Sequence, residues 1–215
     1  MDKLILHEDP RSGNCYKIRL TAALLGLPIE RRFYDILKGE TRTPAFLQHV
    51  NANGRIPVLQ IGPRLLPESN AACWYLAEDS HLVPDGRFER ADMLRWMFFE
   101  QYSHEPNVAT LRFWLRFVGE AKLNDYQRSQ IMPKRVGGEA ALALMEEHLT
   151  GQDWFVGAGA TLADIALYAY THCAHESDFD LTAFPAIRAW IKRVAEAPGH
   201  VAMEHRVQQP APIAE

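Results

Sequence analysis

The chain of 215 residues has little cysteine, no long apolar run and no excess of positive charge. Its three cysteines, Cys15, Cys73 and Cys173, are odd in number and widely spaced, which argues against a disulfide scaffold and for a reducing compartment. Lysine and arginine number 23 against 27 aspartate and glutamate, a formal net charge of −4, so no electrostatic footprint for nucleic acid is present. Apolar stretches are short and broken by charge, and Met1-Asp2-Lys3 lacks a basic region followed by an apolar core. Neither a membrane span nor a secretory leader is expected, and a cytoplasmic location follows as the default. Repeats and low-complexity tracts are also missing, apart from a Pro/Ala-rich tail after Val207 that is expected to fray. What remains is a length sufficient for one large or two small domains, each with a core.

Lys3 to His7 reads as a first strand, and a polar loop from Glu8 to Gly13 leads into a helix over Asn14 to Leu25. Cys15, Ile18, Ala22 and Leu25 give that helix one apolar face, and Gly26 with Pro28 ends it. A second strand is expected over Glu30 to Ile36 and a short helix over Pro44 to Val50. Asn53-Gly54 is a turn signal, after which Pro57 opens the apolar run Pro57-Val58-Leu59 at the start of a strand, the position proline tolerates. Gly62-Pro63 reverses the chain into Arg64-Leu65-Leu66, and Pro67 stops that strand before Glu68 and Ser69 open a helix to Glu78. The predicted order is β-α-β-α-β-β-α.

After Ser80 the pattern changes. Pro84-Asp85-Gly86 reads as part of a linker, and nothing strand-like follows. Met93, Leu94, Met97, Phe98 and Tyr102 form one apolar helix face, and a second long helix is expected over Ile131 to Leu149 with Pro133 near its start. Thr161-Leu162-Ala163-Asp164 is a capping signature before the apolar repeat Leu162, Ile165, Ala166, Ala169, Cys173. Pro185 opens a last helix carrying Ile187, Trp190, Ile191 and Val194. The domains expected are residues 1–79, mixed α and β, and residues 86–215, all helical, joined by 80–85.

Asn53-Gly54-Arg55-Ile56-Pro57-Val58-Leu59 followed by Pro67-Glu68-Ser69-Asn70 resembles the N-terminal domain of the cytosolic glutathione transferases, a thioredoxin-like unit. The Thr161 to Asp164 box resembles the capping element of their helical C-terminal domain, and the likeness covers about residues 3 to 205. It implies a cis bond at Ile56-Pro57, backbone pairing of Ile56 with the cysteinyl unit of glutathione, and capture of the γ-glutamyl end by Glu68 and Ser69. Physically, a serine hydroxyl and N–H at a helix start suit a carboxylate, while Glu68 suits an ammonium. Arg55, and less directly Lys38, is a cation that could meet the glycyl carboxylate.

The loop Arg11-Ser12-Gly13-Asn14-Cys15 puts Ser12 and Asn14 at the first helix's N-terminus, where unpaired N–H groups favour an anion. A free thiol, with pKa near 8.5, is only about 3% ionised at pH 7. Lowering it by about two pH units corresponds to ~2.7 kcal/mol, within reach of a hydroxyl donor and a helix end. This loop resembles that of the serine-type transferases, the theta, delta and zeta classes, as found in a bacterial member. The resemblance makes Ser12 the thiolate activator and Asn14 a supporting donor; Ser12 could also serve as a helix cap, and the two roles could hold together. Cysteine-dependent relatives, the omega and beta classes and the glutaredoxins, carry their nucleophile at the position of Ser12. Cys15, three residues later, is expected to face the helix interior, and Cys73 and Cys173 to pack in the core.

By the same resemblance the opening helix of the second domain supplies an electrophile pocket, with Tyr102, His104, Arg112 and Trp114 as candidate lining. An aromatic-rich helix can also be core or dimer interface. His172 and His175 lack carboxylate or thiolate partners at coordinating spacing, so no metal is expected. The resulting expectation is a homodimeric, cytoplasmic detoxification enzyme joining the glutathione thiolate to a small, hydrophobic electrophile. A glutathione-dependent reductase, lyase or isomerase, or a non-catalytic scaffold on this fold as in some elongation-factor subunits and crystallins, are the alternatives.

Overall fold

The computed structural model describes residues 2–203; the expected fraying after Val207 lies outside them. The chain divides into two compact units, residues up to Glu78 together with those from Pro198 onward, and residues Asp79–Ala197.

In the first unit the predicted order appears as β1 (Leu4–Glu8), α1 (Gly13–Leu24), β2 (Glu30–Phe33), α2 (Pro44–His49), β3 (Val58–Ile61), β4 (Arg64–Pro67) and α3 (Ser69–Ala77). The strands make one sheet in the order β2-β1-β3-β4. β1 runs parallel to β2 in the register Leu6 to Arg31 and antiparallel to β3 with Leu6 opposite Leu59, while β3 and β4 form the hairpin. This is the thioredoxin-like arrangement. Central β1 and β3 are buried, and the edge strands β2 and β4 carry the exposed positions and arginines that blunt an open edge. One expected strand was too long and another too short. β2 ends at Phe33 because Asp35 caps a short 3₁₀ turn through Leu37 N, and Pro67 belongs to β4, pairing with Val58.

α1 buries more than the face its apolar spacing defines, since Tyr16, Lys17, Arg19 and Thr21 are enclosed as well. Arg19 is held by Glu8 at 3.0 Å and by the Pro10 carbonyl at 2.9 Å. Residues 198–203, which the sequence places with the helical domain, return to this helix. The Tyr16 hydroxyl donates to the Val201 carbonyl at 2.7 Å and lies 3.1 Å from Nε2 of His200. Gly199, at φ +85, passes so close to α1 that a Cβ would stand 3.0 Å from the Ala23 carbonyl oxygen.

The second unit is helical: α4 (Arg87–Phe99), α5 (Glu105–Arg112), α6 (Asp125–Leu149), α7 (Leu162–Thr171) and α8 (Pro185–Ala195), with π-helical segments at Glu100–His104 and Phe113–Val118. The expected linker is partly core, because Leu82 and Val83 are buried and the Leu82 carbonyl accepts the Leu162 N–H. The Thr161 box forms as predicted around a buried carboxylate. Asp164 accepts from Thr161 N at 2.8 Å, Phe155 N at 3.1 Å and Trp190 Nε1 at 2.9 Å, which joins α7 to α8. α6 begins at the Asn124–Gln127 capping box, six residues before the expected start, and keeps Pro133 inside it. Among the described residues no helix is long and apolar enough to cross a membrane.

Candidate functional site

β1 ends at Glu8, and a turn closed by Ser12 N–H donating to the Asp9 carbonyl at 3.0 Å delivers the chain to α1. Asp-Pro at positions 9 and 10 is the local reason for that turn. Ser12 is the N-cap: its backbone is extended and its Oγ accepts the Cys15 N–H at 3.4 Å. Accepting that bond leaves the hydroxyl proton available to donate elsewhere, so capping and thiolate activation are compatible in one side chain.

Cys15 is completely buried behind Ser12. Burial and the charge of Glu8 push its thiol far above the usual range, outweighing the opposing influence of the polar groups around it and the charge of Arg19. A thiol so placed stays protonated and unreactive at neutral pH. Cys73 and Cys173 are buried too, and burial raises the Cys173 thiol to about 12.

The loop into β3 is braced from several sides. Asn53 N donates to Asn51 Oδ1, Asn51 Nδ2 to the Arg55 carbonyl at 2.9 Å, and Arg42 Nη1 to the Asn53 carbonyl at 3.0 Å. Gly54 sits at φ +64, a backbone conformation that favours glycine, and the flexible end of the Arg42 side chain occupies the space beside it. The Ile56-Pro57 bond is cis. The Arg55 side chain is exposed, and Lys38 lies 3.8 Å from Asp35.

At the other end of the hairpin, Glu68 adopts φ 72 and ψ 113, a conformation costly for a residue with a Cβ. It is the N-cap of α3 yet makes no side-chain capping bond, so its exposed carboxylate is presented outward. The next residue, Ser69, is buried and its hydroxyl donates to Asn14 Oδ1 at 3.4 Å. Thus Ser12, Asn14, Glu68 and Ser69, distant in sequence, are brought together where the N-termini of α1 and α3 adjoin. Two helix N-termini and a serine hydroxyl suit anionic groups, and the carboxylate beside them suits an ammonium.

The candidates in the second unit fare differently. Tyr102 is 88% exposed. His104 and Arg112, expected to line a pocket, are instead enclosed within the helical unit at 0% and 2% exposure. The Thr171 hydroxyl donates to the Leu167 carbonyl, so its oxygen accepts the His104 Nε2–H at 3.0 Å. Arg112 pairs with Glu176 at 2.5 Å and lies over the Phe117 ring. Both residues therefore act as internal struts, and Trp114 is buried as well. His172 stacks on Tyr168 and bonds its carbonyl. Among the described residues no cluster of three or more His, Cys, Asp or Glu is placed to hold a metal ion.

A family model for the glutathione S-transferase N-terminal domain matches residues 11–79, and one for the glutathione S-transferase C-terminal domain matches 107–198. A Fusarium glutathione S-transferase-like protein, LUC7, is 30% identical over 195 residues, covering 86% of this chain and 85% of its own. The chain belongs to the glutathione S-transferase family. Solved structures agree with this family assignment. A possible glutathione S-transferase from Rhodopseudomonas palustris is 47% identical with a TM-score of 0.88, covering 93% of this chain and 97% of its own. The glutathione S-transferase from Pseudomonas fluorescens is 46% identical with a TM-score of 0.87, covering 93% and 98%. A more distant glutathione transferase from Phanerochaete chrysosporium, 27% identical with a TM-score of 0.79 over 92% of this chain and 93% of its own, was crystallised with oxidised glutathione.

Proposed function

We propose that the protein binds glutathione where α1 and α3 begin, ionises its thiol beside Ser12, and adds the sulfur to an electrophilic carbon of a small, hydrophobic molecule. The observation that carries this reading is the adjacency of Ser12, Asn14, Glu68 and Ser69. In the assigned roles, Glu68 meets the γ-glutamyl ammonium, and Ser69 with the α3 N-terminus meets the γ-glutamyl carboxylate. The Ser69 hydroxyl turns from the neutral Asn14 amide to the charged acceptor, which makes the stronger hydrogen bond. Ile56 and Pro57 offer the strand-like edge to the cysteinyl backbone, and Arg55 approaches the glycyl carboxylate. Ser12 donates a hydrogen bond to the thiolate, with Asn14 in support. The sulfur lone pair forms the S–C bond while the leaving group departs with its electron pair, or a proton is taken up in an addition.

The burial of Cys15 speaks against the disulfide-exchange alternative, which needs an accessible thiolate. Of the pocket candidates only Tyr102 keeps the exposure that contact with an electrophile requires. Exposed Phe88 and Phe98 support a homodimer interface. The reading includes a cytoplasmic location and a role in detoxification. Light scattering at micromolar concentration should give twice 24.5 kDa; a monomer would remove the dimer from it.

The direct test is Ser12→Ala, assayed with chloronitrobenzene, epoxide, peroxide and disulfide substrates. Turnover should fall about ten-fold or more with glutathione KM nearly unchanged, because the hydroxyl acts on the sulfur and not on the tripeptide's ends. The bound thiol's ultraviolet titration should move upward. Unchanged turnover and titration would exclude Ser12 as the activator.

A further inference from the structure

Asp9 is a fully buried carboxylate on the loop that carries Ser12. Its Oδ1 accepts from the Arg11 backbone N–H at 3.0 Å and from Arg11 Nε at 2.8 Å. Its Oδ2 accepts from Arg11 Nη2 at 2.5 Å and from the backbone N–H of Ile36 at 3.3 Å. Arg11 Nη2 reaches on to Asp35 Oδ1 at 2.6 Å, and Asp35 in turn accepts the Leu37 N–H. The Asp9 carbonyl meanwhile takes the Ser12 N–H. One side chain thus fixes the residue before Ser12 in both backbone and guanidinium, and anchors the loop to the segment after β2.

A buried ion pair of this kind adds little net stability over well-packed apolar groups, because desolvation offsets the attraction. What it fixes is geometry. Neither does it act through a surplus of charge. Around the loop Glu8, Asp9 and Asp35 face Arg11, Arg19, Arg31 and Lys38, with Glu8 paired to both Arg19 and Arg31.

We propose that Asp9 is the positioning residue for Ser12: clamped by Arg11 and Asp35, it holds the loop so that the Ser12 hydroxyl is aimed at the glutathione sulfur. The inference rests on the activating role of Ser12 and adds a residue that does not itself touch substrate.

Replacing Asp9 by Asn separates position from charge by sign. Asp9→Asn removes a negative charge close to the thiolate, so the field alone would lower the bound thiol's pKa. Loss of aim raises it. The expected result is an upward shift of the ultraviolet titration of bound glutathione and about ten-fold lower kcat at neutral pH. Glutathione KM should stay within about two-fold, and activity should recover as pH rises past the thiol's own ionisation. A titration that is unmoved or lowered, or a loss confined to KM, overturns the proposal. Ser12→Ala is measured alongside. If that variant leaves the titration unmoved, the activating role of Ser12 is what fails. If it raises the titration and Asp9→Asn does not, only the role of Asp9 fails. Should Asp9→Asn not fold, Arg11→Lys keeps the charge and removes the two-pronged clamp. An upward shift with about three-fold lower kcat supports the proposal, and an unmoved titration in that variant overturns it.

Discussion

Ser69 and Asn14, the opening residue of α3 and a first-turn residue of α1, are joined by a hydrogen bond of 3.4 Å from the Ser69 hydroxyl to the Asn14 side-chain oxygen. Two helix N-termini are thereby held side by side. Without a ligand the serine proton has a neutral partner, which the proposed γ-glutamyl carboxylate would replace.

A neutral hydrogen bond is worth about 1 kcal/mol, or roughly five-fold in an equilibrium constant. Because that bond is given up on binding, Asn14→Ala should tighten glutathione binding through it by up to about that factor in calorimetry. Ser69→Ala should weaken binding, since it removes the stronger, charge-assisted contact to the ligand. In the Ser69→Ala background the Asn14 change should leave binding unmoved; an equal effect in both backgrounds would show that the pair does not act together.

Glu68 combines a strained backbone with an outward carboxylate, which separates its effects on stability and on binding. Glu68→Gly removes a penalty of roughly 1–3 kcal/mol at positive φ, partly offset by chain entropy. Its melting temperature should hold or rise while glutathione affinity falls about ten-fold or more. Glu68→Gln should lose the affinity without the gain in stability. A stable Glu68→Gly variant with unchanged affinity would remove Glu68 from the ammonium site.

Cys15 should resist alkylation in the folded protein and react only as the protein unfolds, because burial keeps it in the thiol form. Cys15→Ala should conjugate within about two-fold of the parent, with a melting temperature lowered by the small cavity left behind. A mixed disulfide between native Cys15 and glutathione would instead favour a reductase.

Two histidines make stability depend on pH in a known direction. Gln60 Nε2 donates to the Gly62 carbonyl, so its oxygen faces His7 and takes the Nε2–H, and His7 Nδ1 is left to accept from the Tyr34 hydroxyl. Neutral His7 satisfies this chain. Burial, helped by the charge of Arg32 and opposed by the Gln60 bond, lowers its pKa, and burial alone lowers that of His200. The unfolded chain, with histidines near pKa 6.5, then binds more protons in the window below that value. Stability should be full above about pH 6.5 and decline as pH falls through the lower folded values. Denaturant midpoints from about pH 8 to 5 should show this slope, and His7→Gln should flatten it; an equal slope in that variant would assign the effect elsewhere.

Local chemistry made the first unit legible. Turn residues Asn53-Gly54 and Gly62-Pro63, the stop at Pro67 and the apolar spacing of α1 each act within a few residues, and so does the Thr161 to Asp164 box. Errors arose where distant partners decide. His104 and Arg112 looked available because of their residue types, yet their partners Thr171 and Glu176 lie 67 and 64 residues downstream. Pro133 suggested a helix start, but the packing of α6 outweighs the hydrogen bond that proline removes, and the Asn124 box sets the true beginning. Nothing near Asp9 in sequence reveals that Asp35 and Ile36 will face it, although Asp-Pro does announce the turn.

The return of residues 198–203 to α1 makes the first unit discontinuous along the chain. During synthesis its sheet can assemble once Glu78 has left the ribosome, but Tyr16 must wait for Val201 until the whole of residues 79–197 has been translated. At ordinary elongation rates that delay is on the order of ten seconds. For that interval the nascent thioredoxin-like unit has its first helix without its last partner.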